Sequence, residues 1–98
     1  MTTKDFIMVL DDMCEEIEGA LHYMHVAHSL KAQKDSTGDM FYSMAQQELA
    51  HAENLRALAK TEYVSADTET SNLMWRHTDK KYMEKRVRFE LMAQEYKR

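Results

Sequence analysis

Apolar residues recur along most of this 98-residue chain at spacings of three and four, and nowhere do they alternate as a strand would. That is the period of an amphipathic helix. In the first stretch two heptad rows run side by side. One is Leu10, Cys14, Ile17, Leu21, Met24 and His28; the other is Val9, Met13, Glu16, Ala20, Tyr23, Ala27 and Leu30. Together they form the broad face of a helix packed in a bundle, expected over about residues 4–34, starting near Thr3 with Asp5 in its first turn. The run Asp35-Ser36-Thr37-Gly38-Asp39 has turn chemistry and is too short to do anything but reverse the chain. A second helix is expected over about 39–63, with Asp39 as its N-cap and Phe41, Met44, Leu55 and Leu58 as its apolar stripe. Thr61 to Asn72 is polar and reads as a loop. A third helix, about 73–97, carries Leu73, Met83, Val87 and Leu91 on one face and Trp75, Tyr82, Phe89 and Tyr96 broadly opposite. A helix apolar on two sides packs on two sides, here its own hairpin and a neighbouring subunit. The expected fold is all-α: one domain over 1–98, an antiparallel helical hairpin plus a third helix.

The stripe of the second helix runs through Glu48 and His51 on its way from Phe41 to Leu55. A Glu-x-x-His pair leaves a helix on one face, one turn apart, as it does in di-iron four-helix bundles. Burying an unpaired carboxylate is expensive, and a bound cation or partner charge is the usual remedy. The bland alternatives are a satisfied core hydrogen bond, or a stripe that ends at Ala45. Glu16 supplies an acid inside the apolar face of the first helix, while Glu18, the competing ligand, falls toward the polar side. Glu16 stands roughly 20 residues before the turn and Glu48 roughly 10 after it, which leaves a level mismatch of about 15 Å for straight helices and a tight turn. Fraying of the first helix before Lys34 would shrink it. The hairpin thus offers half of a bundle di-iron site, and two chains on a two-fold axis would supply the whole, four carboxylates and two imidazoles. Such donors suit Fe(II) or Mn(II), and Zn(II) can occupy them.

Composition agrees with helix: there is no Pro, only Gly19 and Gly38, and nine Met. The net charge of −4 is unevenly spread. Residues 1–71 carry 13 acids against 5 bases, and residues 72–98 carry 8 bases against 4 acids. The basic segment is laced with acids and the rest would repel phosphate, so no nucleic-acid partner is expected. Packing of the basic tail on the acidic hairpin fits better. A lone cysteine, Cys14, excludes an internal disulfide framework and a Cys-x-x-Cys ribbon. No apolar run reaches membrane-spanning length and the start has no signal-sequence pattern, so a reducing, cytoplasmic location is expected, with no membrane partner.

The run Glu15-Glu16-Ile17-Glu18-Gly19-Ala20-Leu21-His22-Tyr23, followed by Glu48-Leu49-Ala50-His51, resembles the ferritin-like superfamily. It is closest to the half-length members, the encapsulated ferritins and short rubrerythrin-like proteins of bacteria and phages. The resemblance covers roughly residues 10–63; in the third helix it is a general likeness to the short rubrerythrin-like proteins only. It implies that Glu16 is the first ligand, Tyr23 the tyrosine beside the site, and Glu48 and His51 the second pair. It also implies that Glu15 and Glu18 match a secondary metal position. The implied protein is a homodimer, or a ring of dimers, closing a ferritin-like four-helix bundle around a di-iron centre with ferroxidase activity. His22 departs from the family, which has Trp there. No segment after Tyr96 resembles an encapsulin-targeting peptide and no Cys-x-x-Cys electron donor is present, so neither a shell nor a redox partner is indicated.

Other residues read more plainly. His22, His25 and His28 fan over about 120°, so at most a neighbouring pair shares a metal. The Met residues read as adaptable core filling, Cys14 as a small buried hydrophobe, and Trp75 with the third-helix tyrosines as packing anchors. Two functions remain: an Fe(II)-oxidising di-iron protein, or a non-catalytic helical assembly protein with structural metal or none.

Overall fold

The computed structural model describes residues 1–66 and 68–98, with the side chains of residues 64–66 left out; Asp67, expected in a loop, lies outside the described residues. Three long helices account for nearly all of them: α1 Thr3–Ala32, α2 Gly38–Ala66 and α3 Glu69–Lys97. No described residue is in a strand, and no helix among them is long and apolar enough to cross a membrane.

Local chemistry explains the boundaries. Thr2 caps α1 in a reciprocal capping box, its hydroxyl accepting from Asp5 N–H while the Asp5 carboxylate accepts from Thr2 N–H. The reversal begins at Lys34, which adopts a left-handed φ of 59°, and Asp35 accepts from both the backbone and the hydroxyl of Thr37. These bonds hold the Asp35 carboxyl below its usual range, its backbone bond to Thr37 first. Asp39 is not the cap expected of it. The second helix already starts at Gly38, and the Asp39 carboxylate instead accepts from the Tyr96 hydroxyl.

The polar stretch Thr61–Asn72 is helical on both sides of residue 67 rather than a loop. Exposed helix surface accepts Thr and Glu at small cost. Thr61 bonds back to the Ala57 carbonyl, and Thr68 caps α3 by accepting from Ser71 N–H.

α3 returns along the hairpin, antiparallel to α2 and parallel to α1. Tyr63 stacks on Trp75, Arg56 pairs with Asp79, Glu53 with Arg86, and Tyr42 stacks on Tyr96, in descending order along α2 and ascending order along α3. On α1, Glu18 pairs with Lys85, and His28 Nε2 lies 2.7 Å from the Met92 carbonyl oxygen. Trp75, Tyr82, Phe89 and Tyr96 recur every seven residues and are all buried. They share two core clusters with Ala52 and Ala59 in the lower half and Ala45 in the upper half. Large rings on α3 thus meet small residues on α2, which lets the layers interdigitate. The expected core stripe of α2 is therefore displaced. Ala45, Ala52 and Ala59 are its fully buried line, while Phe41, Met44 and Leu55 are half-buried and Leu58 is exposed.

The two faces expected of α3 separate as they should, with Leu73, Val87 and Leu91 exposed. Met83 is the exception, since it packs against the lower core cluster. Cys14 is half-buried rather than buried; burial pushes its thiol up, and nearby Lys85 pulls the other way.

Candidate metal centre

The turn sets the level of the two hairpin helices. A methyl group on Gly38 would stand 3.1 Å from the Ala27 carbonyl oxygen, so the start of α2 lies beside Ala27, a turn and more before α1 ends. Glu16 is eleven residues from Ala27, and Glu48 is ten from Gly38. At about 1.5 Å per residue the two acids arrive level. The mismatch expected from sequence disappears because the last turn of α1 overhangs the start of α2, not because α1 frays.

Glu16, Glu48 and His51 consequently converge. One ligand atom from each lies within 4.8 Å of the others. Imidazole Nδ1 of His51 stands 3.7 Å from Glu16 Oε2, too long for a hydrogen bond. With both acids ionised, Glu16 Oε2 is buried and has no hydrogen-bond donor among the described residues. The Glu48 carboxyl is pushed above its usual range, first by the Glu16 carboxyl with which it can share a proton, then by partial burial and by the Glu16 charge; His51 pulls the other way.

The cluster is not sealed in the core. The His51 side chain is 59% exposed and that of Glu16 31%. Sequence periodicity put both Glu48 and His51 at the centre of a buried stripe; they stand instead at its open edge, because the alanine line takes the centre. Glu48 points about 80–140° round α2 from Tyr42, Glu53 and Arg56, the residues that meet α3. The site therefore lies on the flank of the hairpin that α3 does not cover.

The remaining candidates stand apart. Glu18 lies about 160° round α1 from Glu16 by helical geometry, turned toward α3, where it pairs with Lys85. Tyr23 is two turns along α1 from Glu16, its ring 6.1 Å from Phe41 and 5.8 Å from His22. Its neighbours are thus the apolar edge above the site. His22 and His25 are exposed, while His28 is held against Met92, so the three do not combine.

No family model, curated protein or solved structure matches this chain. The site must speak through its own residues. Two carboxylates and an imidazole, with a buried oxygen lacking a donor, fit a divalent cation that accepts oxygen and nitrogen ligands. Three protein ligands also leave coordination positions open.

One residue of the site escaped sequence reading. A Cβ on Gly19 would meet Glu48 Oε2 at 3.2 Å and Glu48 Cδ at 3.8 Å. Its signal was visible: a glycine in mid-helix, one turn after Glu16, with no turn to explain it.

Proposed function

We propose that this chain is a ferritin-like di-iron protein that oxidises Fe(II), with its metal site formed between two copies. The observation that carries the reading is the convergence of Glu16, Glu48 and His51 on the uncovered flank of the hairpin. One chain supplies three ligands, and a two-fold axis through the site would supply six, enough for two cations.

The flank has a pattern that suits such an axis. On α1, Val9 precedes Glu16 by seven residues and Tyr23 follows by seven. On α2, Phe41 and Leu55 bracket Glu48 at the same spacing, and Met44 and Leu58 bracket His51. Val9, Tyr23, Phe41, Met44 and Leu55 are half-buried and Leu58 is exposed, so each end of the flank offers apolar surface. A two-fold rotation about the site lays the Phe41–Met44 end of one copy on the Leu55–Leu58 end of the other. The result is a four-helix bundle of two hairpins with α3 on the outside of each.

Fe(II) is the substrate. Two Fe(II) ions give up two electrons, which with two protons reduce O₂ to hydrogen peroxide or hydrogen peroxide to two waters. Glu16, Glu48 and His51 would hold the ions: the two carboxylates would lower the cost of accumulating positive charge, and His51 would complete the donor set. The second reading, a non-catalytic assembly protein, is favoured by one observation. The Glu16 and Glu48 carboxyls lie close enough to each other for a proton, rather than a cation, to relieve their repulsion.

Anaerobic loading with Fe(II), followed by metal analysis, solution mass and oxygen uptake on exposure to air, separates the two. The expected result is one iron per chain in a dimer or other even-numbered oligomer, with oxygen consumed. An assembly that takes up no iron overturns the oxidase reading in favour of the scaffold.

A further inference from the structure

The two glycines sit in different surroundings. A methyl group on Gly38 would strike backbone, the Ala27 carbonyl oxygen, as well as the Tyr96 hydroxyl and Leu30 Cβ, so Gly38 is there to let α2 pass close to α1. Among the described residues, a methyl group on Gly19 would meet only the Glu48 carboxyl within 4 Å outside its own helix turn. Gly19 does not have a positive φ, so its backbone gives no reason for glycine. In mid-helix glycine is less stable than alanine, since it loses more backbone freedom on folding. The position forgoes that stability, and Glu48 Oε2 stands 3.2 Å from where a Cβ would lie, tighter than ordinary van der Waals contact.

We propose that Gly19 is a positioning residue of the metal centre: the bare Cα lets the Glu48 carboxyl lie across α1, level with the Glu16 and His51 ligand atoms. Glu16 and Gly19 are three residues apart and share a face of α1. A carboxyl that rests on Gly19 is therefore already turned toward Glu16. A methyl group there makes the carboxyl give way by a few tenths of an ångström, and changing the surroundings that orient a metal ligand costs about 10- to 100-fold in affinity. The inference rests on the reading of Glu16, Glu48 and His51 as metal ligands.

Mn(II) titration, with free ion followed by its electron paramagnetic resonance signal, tests it on the full chain with Gly19→Ala, Glu48→Ala and the double variant. Mn(II) prefers carboxylate oxygen and so reports the cluster rather than Cys14 or the exposed histidines. The expected result is a Gly19→Ala chain with a melting temperature equal to or above that of the parent in the absence of metal, yet about tenfold weaker Mn(II) affinity. In the Glu48→Ala background, where no carboxyl needs the space, Gly19→Ala should leave the residual affinity unchanged. If Gly19→Ala binds Mn(II) as tightly as the parent, or weakens it equally in both backgrounds, the positioning role is overturned while the metal site stands. A parent chain that binds no Mn(II) overturns both.

Discussion

The two flanks of the α1–α2 hairpin carry acids in very different company. On the flank covered by α3, Glu18 faces Lys85 and Glu53 faces Arg86, while Asp79 of α3 receives a two-pronged pair from Arg56, Nε–Oδ1 at 2.7 Å and Nη2–Oδ2 at 3.2 Å. On the other flank Glu16 and Glu48 face each other and a histidine, and no lysine or arginine is paired with either among the described residues. The same helices thus hold one set of acids neutralised from within and another that is not. Two of the eight bases of residues 72–98, Lys85 and Arg86, are paired with hairpin acids on the first flank. Charge balance on the second has to come from outside the chain or from a proton.

The largest expected effect breaks the covered flank. Phe89 is fully buried in the upper cluster. Phe89→Ala should cost about 3–5 kcal/mol, a large part of the stability of a domain this size. Glu48→Ala should do the opposite to the metal-free chain at neutral pH, raising its melting temperature because it removes a crowded carboxyl. Urea and thermal melts of both variants check the pair. A Glu48→Ala chain that melts well below the parent would show that Glu48 is a packing residue and would dissolve the contrast between the flanks.

A smaller effect measures what the covered flank gains from its ion pairs. The Arg56 guanidinium is three-quarters buried, with side-chain exposure of 24%. It also lies 5.7 Å from the Trp75 ring centre. Its pairing with Asp79 raises its proton affinity further. Arg56→Ala should cost about 1.5–3 kcal/mol, the range for charge-assisted hydrogen bonds. Removing Lys85 from the 56% exposed Glu18 should cost about 0.5 kcal/mol or less. Equal losses in the two variants would mean that burial does not grade these pairs.

How much of this was legible in the sequence divides along the same line. The helical periods gave the hairpin, the aromatic heptad of α3 and the opposite facing of Glu16 and Glu18, because each depends on spacing within one helix. The buried line of α2 was not legible. Phe, Met and Leu outrank Ala on any hydrophobic scale, yet the residues opposite decide which line is buried, and those opposite Ala45, Ala52 and Ala59 are rings more than 15 positions away in sequence. The Thr61–Asn72 stretch was misread for a related reason. Polarity marks a loop only where it also removes helix-compatible residues, and here Thr61, Glu69 and Thr70 are exposed positions at two helix ends. The overhang of α1 past the start of α2, which brings Glu16 level with Glu48, is a property of the turn and of the close approach at Gly38.

A last effect, read through its pH dependence, lies where the covered flank meets the turn. The Tyr96 hydroxyl donates to Asp39, its ring stacks on Tyr42 at 4.6 Å, and Lys31 Nζ lies 4.6 Å over its face. Burial first, and the bond to Asp39 second, push the phenol up from 10.0 to about 12. Tyr82 moves in the same direction, again chiefly through burial, with the Glu53 carboxylate adding to it. The unfolded chain releases these protons near pH 10 while the folded chain keeps them. Stability is therefore intact below pH 10 and falls as pH rises toward 12. Tyr96→Phe should cost about 1 kcal/mol at neutral pH, the usual worth of one hydrogen bond, and it should melt closer to the parent at pH 11 than at pH 8. A gap that stays constant with pH would mean that Tyr96 titrates alike in both states, and that its hydroxyl bond to Asp39 does not set the pH dependence of the covered flank.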